Sequence, residues 1–144
     1  MHQAMTNVLA IDPGERTGWA RANISDDGEW ADIRQGVNSV RDFLLCLEKH
    51  YGEYDIVIYE TWRLFPHKAR SLVGSEMTAS QVIGGIRLIS WHHPKTRLLD
   101  QGPNTKSTAM KTMPSHLKDR MAKSSEQHDQ DALMHLWYWT WKNT

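Results

Sequence analysis

Three points in the sequence place carboxylate or imidazole side chains where predicted elements end or begin. Asp12 follows a short apolar run, and Glu60 follows another one. His128 and Asp131 stand three residues apart near the start of the last predicted helix, so they share one face of it. Carboxylate oxygens and imidazole nitrogens bind divalent cations such as Mg²⁺ and Mn²⁺. These four residues are therefore candidates for a metal-dependent catalytic site.

The elements that must position these residues begin with a β-hairpin and continue as alternating strands and helices. Strands are predicted over 8–11, 17–22, 29–35, 55–59 and 97–99, a first helix begins after Ser39, and further helices span 71–91 and 125–141, the last capped by Ser125. This order predicts an α/β fold with a mixed sheet and helices on its faces. If the first and fourth strands are neighbours, Asp12 and Glu60 face each other at their carboxyl ends.

Each motif also has a purely structural explanation. Asp-Pro-Gly is a common turn, a glutamate that ends a strand is usually solvated, and acidic residues in a first helical turn complement the helix dipole. The co-occurrence of the motifs favours the catalytic interpretation for the four residues named above. Asp129 is rotated by about a quarter turn from its neighbours and is expected to face solvent. His135 is expected to support the site or the fold without binding metal.

Length and composition indicate one globular domain over residues 1–144, with 40% hydrophobic and 24% charged residues. No apolar run is long enough to cross a bilayer and no signal-peptide pattern is present, so a cytoplasmic protein is expected. Cys46 is the single cysteine, which excludes an internal disulfide and a cysteine-based zinc site. Its apolar neighbours predict a small core residue or a residue on a partner-facing surface.

The formal net charge is zero, but its distribution is uneven. Residues 26–60 carry nine acidic and three basic side chains, whereas residues 61–125 carry eleven basic and three acidic ones. The second half of the chain could therefore present a basic face to nucleic acid. A solvated surface with scattered charges is the alternative.

Taken together, the motifs resemble those of the RuvC group of Holliday junction resolvases. Ile11-Asp12-Pro13-Gly14 with Thr17-Gly18 looks like the opening strand of that family, and the strand ending in Glu60 looks like its second carboxylate. The run His128-Asp129-Gln130-Asp131-Ala132-Leu133 is similar to the closing motif. The stretch 63–70 looks more like the compact phage-borne members than like the bacterial enzymes.

The resemblance implies an RNase H-like five-stranded sheet, two Mg²⁺ or Mn²⁺ ions, and a homodimer that nicks a four-way DNA junction. The implied metal ligands are Asp12, Glu60, His128 and Asp131. Asp12 is the candidate to bridge both ions in an in-line hydrolysis of the phosphodiester. Lys106 falls where the family places a basic residue near the scissile phosphate.

The segment 61–70 combines basic and aromatic side chains and has no acidic residue, which suits phosphate contacts and base stacking. The expected DNA contacts are Trp62, Arg63, Phe65, His67, Lys68 and Arg70, together with Lys106 and Lys111. The family often has an aromatic wedge three residues after its second carboxylate, where this chain has Arg63. Trp62 or Phe65 could take that role, although Trp62 could equally fold into the core.

Two apolar regions could pack either against the protein's own core or against a partner. The helix 71–91 presents a wide apolar surface that predicts either core packing or a homodimer interface. Its apolar residues are Leu72, Val73, Met77, Ala79, Val82, Ile83, Ile86 and Ile89. The C-terminal aromatic residues Trp137, Tyr138, Trp139 and Trp141 are expected to pack against the fold instead of stacking on bases.

Three other functions are compatible with parts of the sequence. An actin-like or sugar-kinase ATPase also opens on an Asp-x-Gly turn, but it needs two such domains, which 144 residues cannot hold. A nuclease acting on flaps, RNA or RNA–DNA hybrids would use the same metal site. A non-catalytic DNA-binding module would keep the fold without turnover, and the complete carboxylate set argues against it.

Replacing Phe65 by Ala is expected to lower cleavage of a four-way junction, because the variant loses the ring that would stack at an opened base pair. Nicking of a labelled junction by the two proteins measures the effect. Unchanged cleavage by the Phe65→Ala protein would exclude Phe65 as the wedge.

Overall fold

The computed structural model describes residues 4–61, 69–123 and 126–144, and in the second range it describes side chains from residue 78 onward. Several predicted residues lie outside this part of the chain. They are Trp62, Arg63, Phe65, His67, Lys68 and Ser125, together with the side chains of Arg70, Leu72, Val73 and Met77.

A five-stranded mixed sheet forms the centre of the fold, with strand order β3-β2-β1-β4-β5. The strands are β1 (Met5–Asp12), β2 (Arg16–Ser25), β3 (Trp30–Ser39), β4 (Ile56–Glu60) and β5 (Arg97–Gln101). The helices are α1 (Val40–His50), α2 (Ala69–Trp91), α3 (Thr105–Thr112), α4 (Ser115–Ala122) and α5 (Gln127–Asn143), and a single 3₁₀ turn spans Tyr51–Glu53. The first three strands are antiparallel, whereas β4 runs parallel to both β1 and β5. The predicted α/β fold class is confirmed.

Local sequence accounts for most of these elements. The apolar strands β1 and β4 are buried at the centre of the sheet, where both faces are covered. Gly28 has a φ of 88°, so the turn between β2 and β3 uses a left-handed conformation that suits glycine. The Ser39 hydroxyl accepts a hydrogen bond from the backbone N–H of Asp42, as the predicted start of α1 requires.

Helices cover the two faces of the sheet and create two hydrophobic cores. On one face, α3, α4 and α5 pack against Val8, Ala10 and Ile58. On the other face, α1 and α2 pack against Leu9 and Ile11. Because side chains alternate along a strand, Asp12 belongs to the same face as Ala10 and points toward α5.

The start of α5 and the environment of Cys46 differ from the predictions. The N-cap of α5 is Glu126, whose side chain makes no capping hydrogen bond, so the helix does not begin at Ser125. Cys46 is exposed, which excludes the core alternative and leaves the partner-facing alternative as a prediction. The inward stripe of α1 consists of Phe43 and Leu47, and Cys46 lies off that stripe by helical geometry.

The apolar residues of α2 divide between the core and the surface. Val82, Ile83 and Ile86 are buried, so the core-packing alternative holds for them. Leu88 and Trp91 are 54% and 74% exposed and remain available to a partner. No helix in the described parts of the chain is both long enough and apolar enough to span a membrane.

The C-terminal aromatic residues pack against the fold, as expected, with one exception. Trp137, Tyr138 and Trp139 are half-buried against the core beneath α5. The indole N–H of Trp137 donates to the Thr112 hydroxyl at 2.9 Å. Trp141 is 44% exposed near the end of the helix.

Candidate active site

Asp12 and Glu60 meet at the carboxyl ends of two neighbouring parallel strands. The register pairs Ile11 of β1 with Tyr59 of β4, which places the next residue of each strand at the same edge of the sheet. Asp12 is 5% exposed and the side chain of Glu60 is 14% exposed, so both carboxyl groups are largely shielded from water. The strand pairing therefore brings together the two carboxylates that the sequence predicted to face each other.

Lys106 provides a positive charge beside these carboxylates. It lies in the first turn of α3, directly after β5, and its Nζ is 3.0 Å from Glu60 Oε1. The same ammonium is 3.4 Å from Asp131 Oδ2 on α5. Lys106 thus links the strand-end carboxylates to the last helix. Lys111, the other predicted basic contact on α3, is exposed.

His128 and Asp131 reach the same cluster from the first turns of α5. His128 Nδ1 lies 3.1 Å from Asp12 Oδ2, and its side chain is 42% exposed. The Gln127 side-chain amide donates to Asp131 Oδ1 at 3.3 Å. All four predicted metal ligands and Lys106 therefore lie at the same edge of the sheet, with Lys106 contacting Glu60 and Asp131 and His128 contacting Asp12.

Gly18 allows α5 to approach the sheet closely enough for these contacts. A Cβ atom added at Gly18 would lie 2.1 Å from both the carbonyl carbon and the carbonyl oxygen of His128. It would also lie 2.6 Å from the backbone nitrogen of Asp129. Only glycine fits at this point of β2, because the obstructing atoms belong to backbone.

Asp129 is buried, which corrects the prediction that it faces solvent. It is 7% exposed and accepts a hydrogen bond at 3.1 Å from the side-chain amide of Gln35 on β3. The Gln35 carbonyl oxygen accepts from Arg120 Nε at 2.6 Å, and Arg120 also donates to the backbone carbonyl of Ile33. Helical geometry alone missed this contact because α5 lies against the sheet on that side too.

His135 supports Glu60 from inside the protein. Its ring is fully buried, with Nε2 at 3.3 Å from Glu60 Oε1 and Nδ1 at 2.8 Å from Gln101 Oε1. The Thr105 hydroxyl lies 3.3 Å from the same Nδ1. Gln101 and Thr105 were not predicted, since a glutamine that ends a strand and a threonine that begins a helix carry no distinctive pattern.

Burial and neighbouring polar groups shift the pKa values of Asp12 and Glu60 in opposite directions. Burial, together with the hydrogen bond and the charge of Glu60, raises the pKa of Asp12 to about 9. Burial also acts to raise the pKa of Glu60, but polar contacts with His135, Asp12 and Lys106 outweigh it and lower the pKa to about 2. The pair therefore retains one proton at neutral pH.

The donor chemistry of the cluster fits a hard divalent cation. Glu60 Oε1 is buried and lacks a hydrogen bond of good geometry in the described part of the chain, although the Lys106 ammonium is close by. Carboxylate oxygens such as this one are the preferred ligands of Mg²⁺ and Mn²⁺. Within the described residues, however, no three acidic, histidine or cysteine side chains form a ready-made metal cage.

Comparison with known proteins identifies the fold. Neither a protein-family model nor a curated protein sequence matches this chain. Among solved structures, the yeast mitochondrial Holliday junction resolvase Ydc2 superposes with a TM-score of 0.64 at 14% identity, over 92% of this chain and 77% of that one. The fowlpox virus Holliday junction resolvase gives a TM-score of 0.60 at 13% identity, over 92% and 97% of the two chains. The structure of the fowlpox virus resolvase with its substrate Holliday junction DNA superposes with a TM-score of 0.50 at 14% identity, over 94% of this chain and 95% of that one.

The chain therefore shares the RNase H-like α/β fold of these resolvases. The likeness extends over nearly the whole chain, and the observed strand order and mixed pairing agree with the expected fold. At this level of identity the likeness establishes the architecture, whereas the chemistry of the site depends on this chain's own residues.

Replacing Gly18 by Ala is expected to lower the free energy of unfolding by more than about 2 kcal/mol, because the methyl group forces backbone apart at the start of α5. Chemical denaturation measures the change. Gly84→Ala in α2 is the matched control, since a Cβ there meets nothing within 4 Å. That variant should be unchanged or more stable by up to about 1 kcal/mol. Equal effects of the two substitutions would contradict the close approach of β2 and α5.

The stability of the metal-free protein should fall as the pH rises, because Asp12 has a raised pKa. In the folded protein Asp12 keeps its proton at pH values where the unfolded chain, with an ordinary pKa of 3.8, has released it. The contribution of this group to the free energy of unfolding is complete below pH 3.8 and is lost as the pH rises through about 9. Between pH 5 and 8 we expect a loss of about 1 kcal/mol per pH unit relative to Asp12→Asn. Denaturation in chelator measures it, and parallel pH profiles for the two proteins would contradict the shift.

Proposed function

We propose that this protein is a metal-dependent, structure-selective endonuclease that nicks branched DNA such as Holliday junctions. The observation that carries the proposal is the meeting of Asp12 and Glu60 at the ends of β1 and β4, with Lys106 at 3.0 Å from Glu60. Burial of two neighbouring carboxylates raises the free energy of the folded state unless a bound cation or a proton neutralises part of their charge. Hydrolysis of a phosphodiester uses such a site.

Each residue of the cluster has a role in the proposed reaction. Asp12 and Glu60 would hold divalent cations, with His128 and Asp131 completing the ligands from α5. Bound Mg²⁺ or Mn²⁺ would supply Lewis-acid stabilisation of the phosphate and a more acidic water. Lys106 would contact a phosphate oxygen of the substrate, since its ammonium already lies between Glu60 and Asp131. His135 and Gln101 would keep the Glu60 carboxylate oriented toward the cluster.

The proposed substrate is branched DNA. Two proteins with the same fold are Holliday junction resolvases, and one of them was solved with its substrate junction. The basic residues of the second half of the chain suit contact with phosphates.

A homodimer would place two such sites on one junction, and the exposed Leu88 and Trp91 of α2 are available for the contact between subunits. We further propose that the protein acts in the cytoplasm, or in the cytoplasm of a host cell if a phage encodes it.

Replacing Asp12 by Asn is expected to abolish junction cleavage, by at least about 10²-fold, while leaving junction binding intact. The amide keeps the size of the side chain but removes the charge that would bind the cations. Nicking of a labelled junction in Mg²⁺ or Mn²⁺, together with a gel-shift assay in Ca²⁺, measures the two properties.

Asp100→Asn on β5 is the matched control, because Asp100 is an exposed carboxylate on the strand beside Glu60. It should cleave at the wild-type rate. An active Asp12→Asn protein would overturn the proposed mechanism, and a wild-type protein that binds junctions without nicking would favour the non-catalytic module.

A further inference from the structure

A pocket of about 390 Å³ lies on the face of the sheet opposite to the candidate active site. Its floor consists of Leu9, Phe43 and Leu47, which belong to the core beneath α1 and α2. Asp12 points to the other face, so the pocket and the carboxylate cluster are separated by the sheet. The proposed endonuclease chemistry makes no use of this pocket.

One wall of the pocket is an aromatic ring that is fixed from two sides. The indole N–H of Trp19 donates to Asn38 Oδ1 at 2.7 Å. Gly36 on β3 makes room for the ring, since a Cβ there would lie 2.9 Å from Trp19 Cζ2. Trp19 is half-buried and lines the pocket. A fixed indole offers a planar surface on which another ring can stack.

Two arginines stand beside this ring in one row across the sheet. The register pairs Leu9 with Arg21 and Arg21 with Arg34, so both guanidinium groups are on the pocket face. They share one carboxylate, with Arg21 at 3.8 Å and Arg34 at 3.6 Å from the two oxygens of Asp32. These distances exceed those of hydrogen bonds. A second carboxylate, Glu53, also lines the pocket, and its Oε2 lies 3.0 Å from His50 Nδ1.

An unusual backbone conformation at Asp32 positions the carboxylate that the two arginines share. Asp32 has a φ of 52°, which is unfavourable for a residue other than glycine, and β3 shifts register against β2 next to it. Such a bulge re-aims side chains, and strain of this kind concentrates at functional sites. Here the bulge places the Asp32 carboxylate between the two arginines.

We propose that this pocket binds a nucleotide, with the base stacked on Trp19 and the phosphate held by Arg21 and Arg34. In the described part of the chain no carboxylate lies within hydrogen-bond distance of either guanidinium group. Two such groups side by side suit a phosphate, which accepts hydrogen bonds from both. The volume lies in the range of small-ligand sites and accommodates one nucleotide unit. The ligand can be a free mononucleotide or an unpaired nucleotide of a DNA strand, because both carry the same base and phosphate.

The test titrates deoxyadenosine monophosphate, deoxyadenosine, inorganic phosphate and a short single strand into the protein. Two signals report on the pocket: the indole N–H resonance of Trp19, assigned with Trp19→Phe, and the alkylation rate of Cys46, an exposed thiol on the rim. The monophosphate should shift the resonance and slow the alkylation. It should bind about tenfold more tightly than deoxyadenosine or inorganic phosphate, because each of those lacks one of the two contacts.

Arg34→Gln should weaken binding of the monophosphate about tenfold, and Arg34 is exposed enough for the fold to tolerate the change. Arg41→Gln on α1 is the matched control, because Arg41 is exposed and does not line the pocket. Tighter binding of the single strand than of the monophosphate would identify a DNA strand as the source of the nucleotide, and the reverse order would identify the free nucleotide.

Asp12→Asn should leave this binding unchanged, so failure of the endonuclease proposal and failure of the pocket proposal can be distinguished. Equal affinity of the Arg34→Gln and Arg41→Gln proteins would overturn the proposed site. Equal binding of inorganic phosphate and the monophosphate would also overturn it, because the ring would then contribute nothing.

Discussion

Burial of two carboxyl groups in one space is the constraint around which this fold is arranged. Asp12 and Glu60 end neighbouring parallel strands, and burial together with the hydrogen bond and charge of Glu60 keeps the pKa of Asp12 at about 9. Lys106 at 3.0 Å and the buried ring of His135 at 3.3 Å stabilise the charge of Glu60. A cluster of this kind costs folding stability, and such a cost is typical of functional sites.

The last helix completes the cluster, and its position depends on small and distant features of the chain. Gly18 lets the backbone of α5 contact β2, and the Gln35–Asp129 hydrogen bond ties the first turn of α5 to β3. His128 and Asp131 therefore reach the strand ends from one rigid element. Rigid placement matters because catalytic groups must be held within a fraction of an ångström of their working geometry.

The sequence predicted the order of the elements along the chain, the strand-end positions of Asp12 and Glu60, and the shared helical face of His128 and Asp131, since these depend on short apolar runs and helical spacing. That β1 and β4 are neighbours, which brings Asp12 and Glu60 together, was a condition of the prediction that the structure supplies. It did not predict the buried state of Asp129, whose partner Gln35 lies on a distant strand. Nor did it predict the Gln101 contact with His135 or the positive φ of Asp32, because both arise from tertiary packing. Of the two alternatives for Cys46, the core position is wrong, because its apolar neighbours suggested burial whereas its position on α1 leaves it exposed. The roles of the four ligands and Lys106 in metal or DNA binding stay predictions.

The most direct measurement is the mapping of cleavage products from a four-way junction, a flap, a duplex and an RNA–DNA hybrid incubated with the protein and Mg²⁺ or Mn²⁺. We predict paired nicks at symmetric positions near the centre of the four-way junction, with little cleavage of the duplex. Cleavage confined to the flap or the hybrid would keep the metal chemistry and contradict the assignment of branched junctions as substrate. Absence of cleavage on all four substrates would contradict the endonuclease function itself.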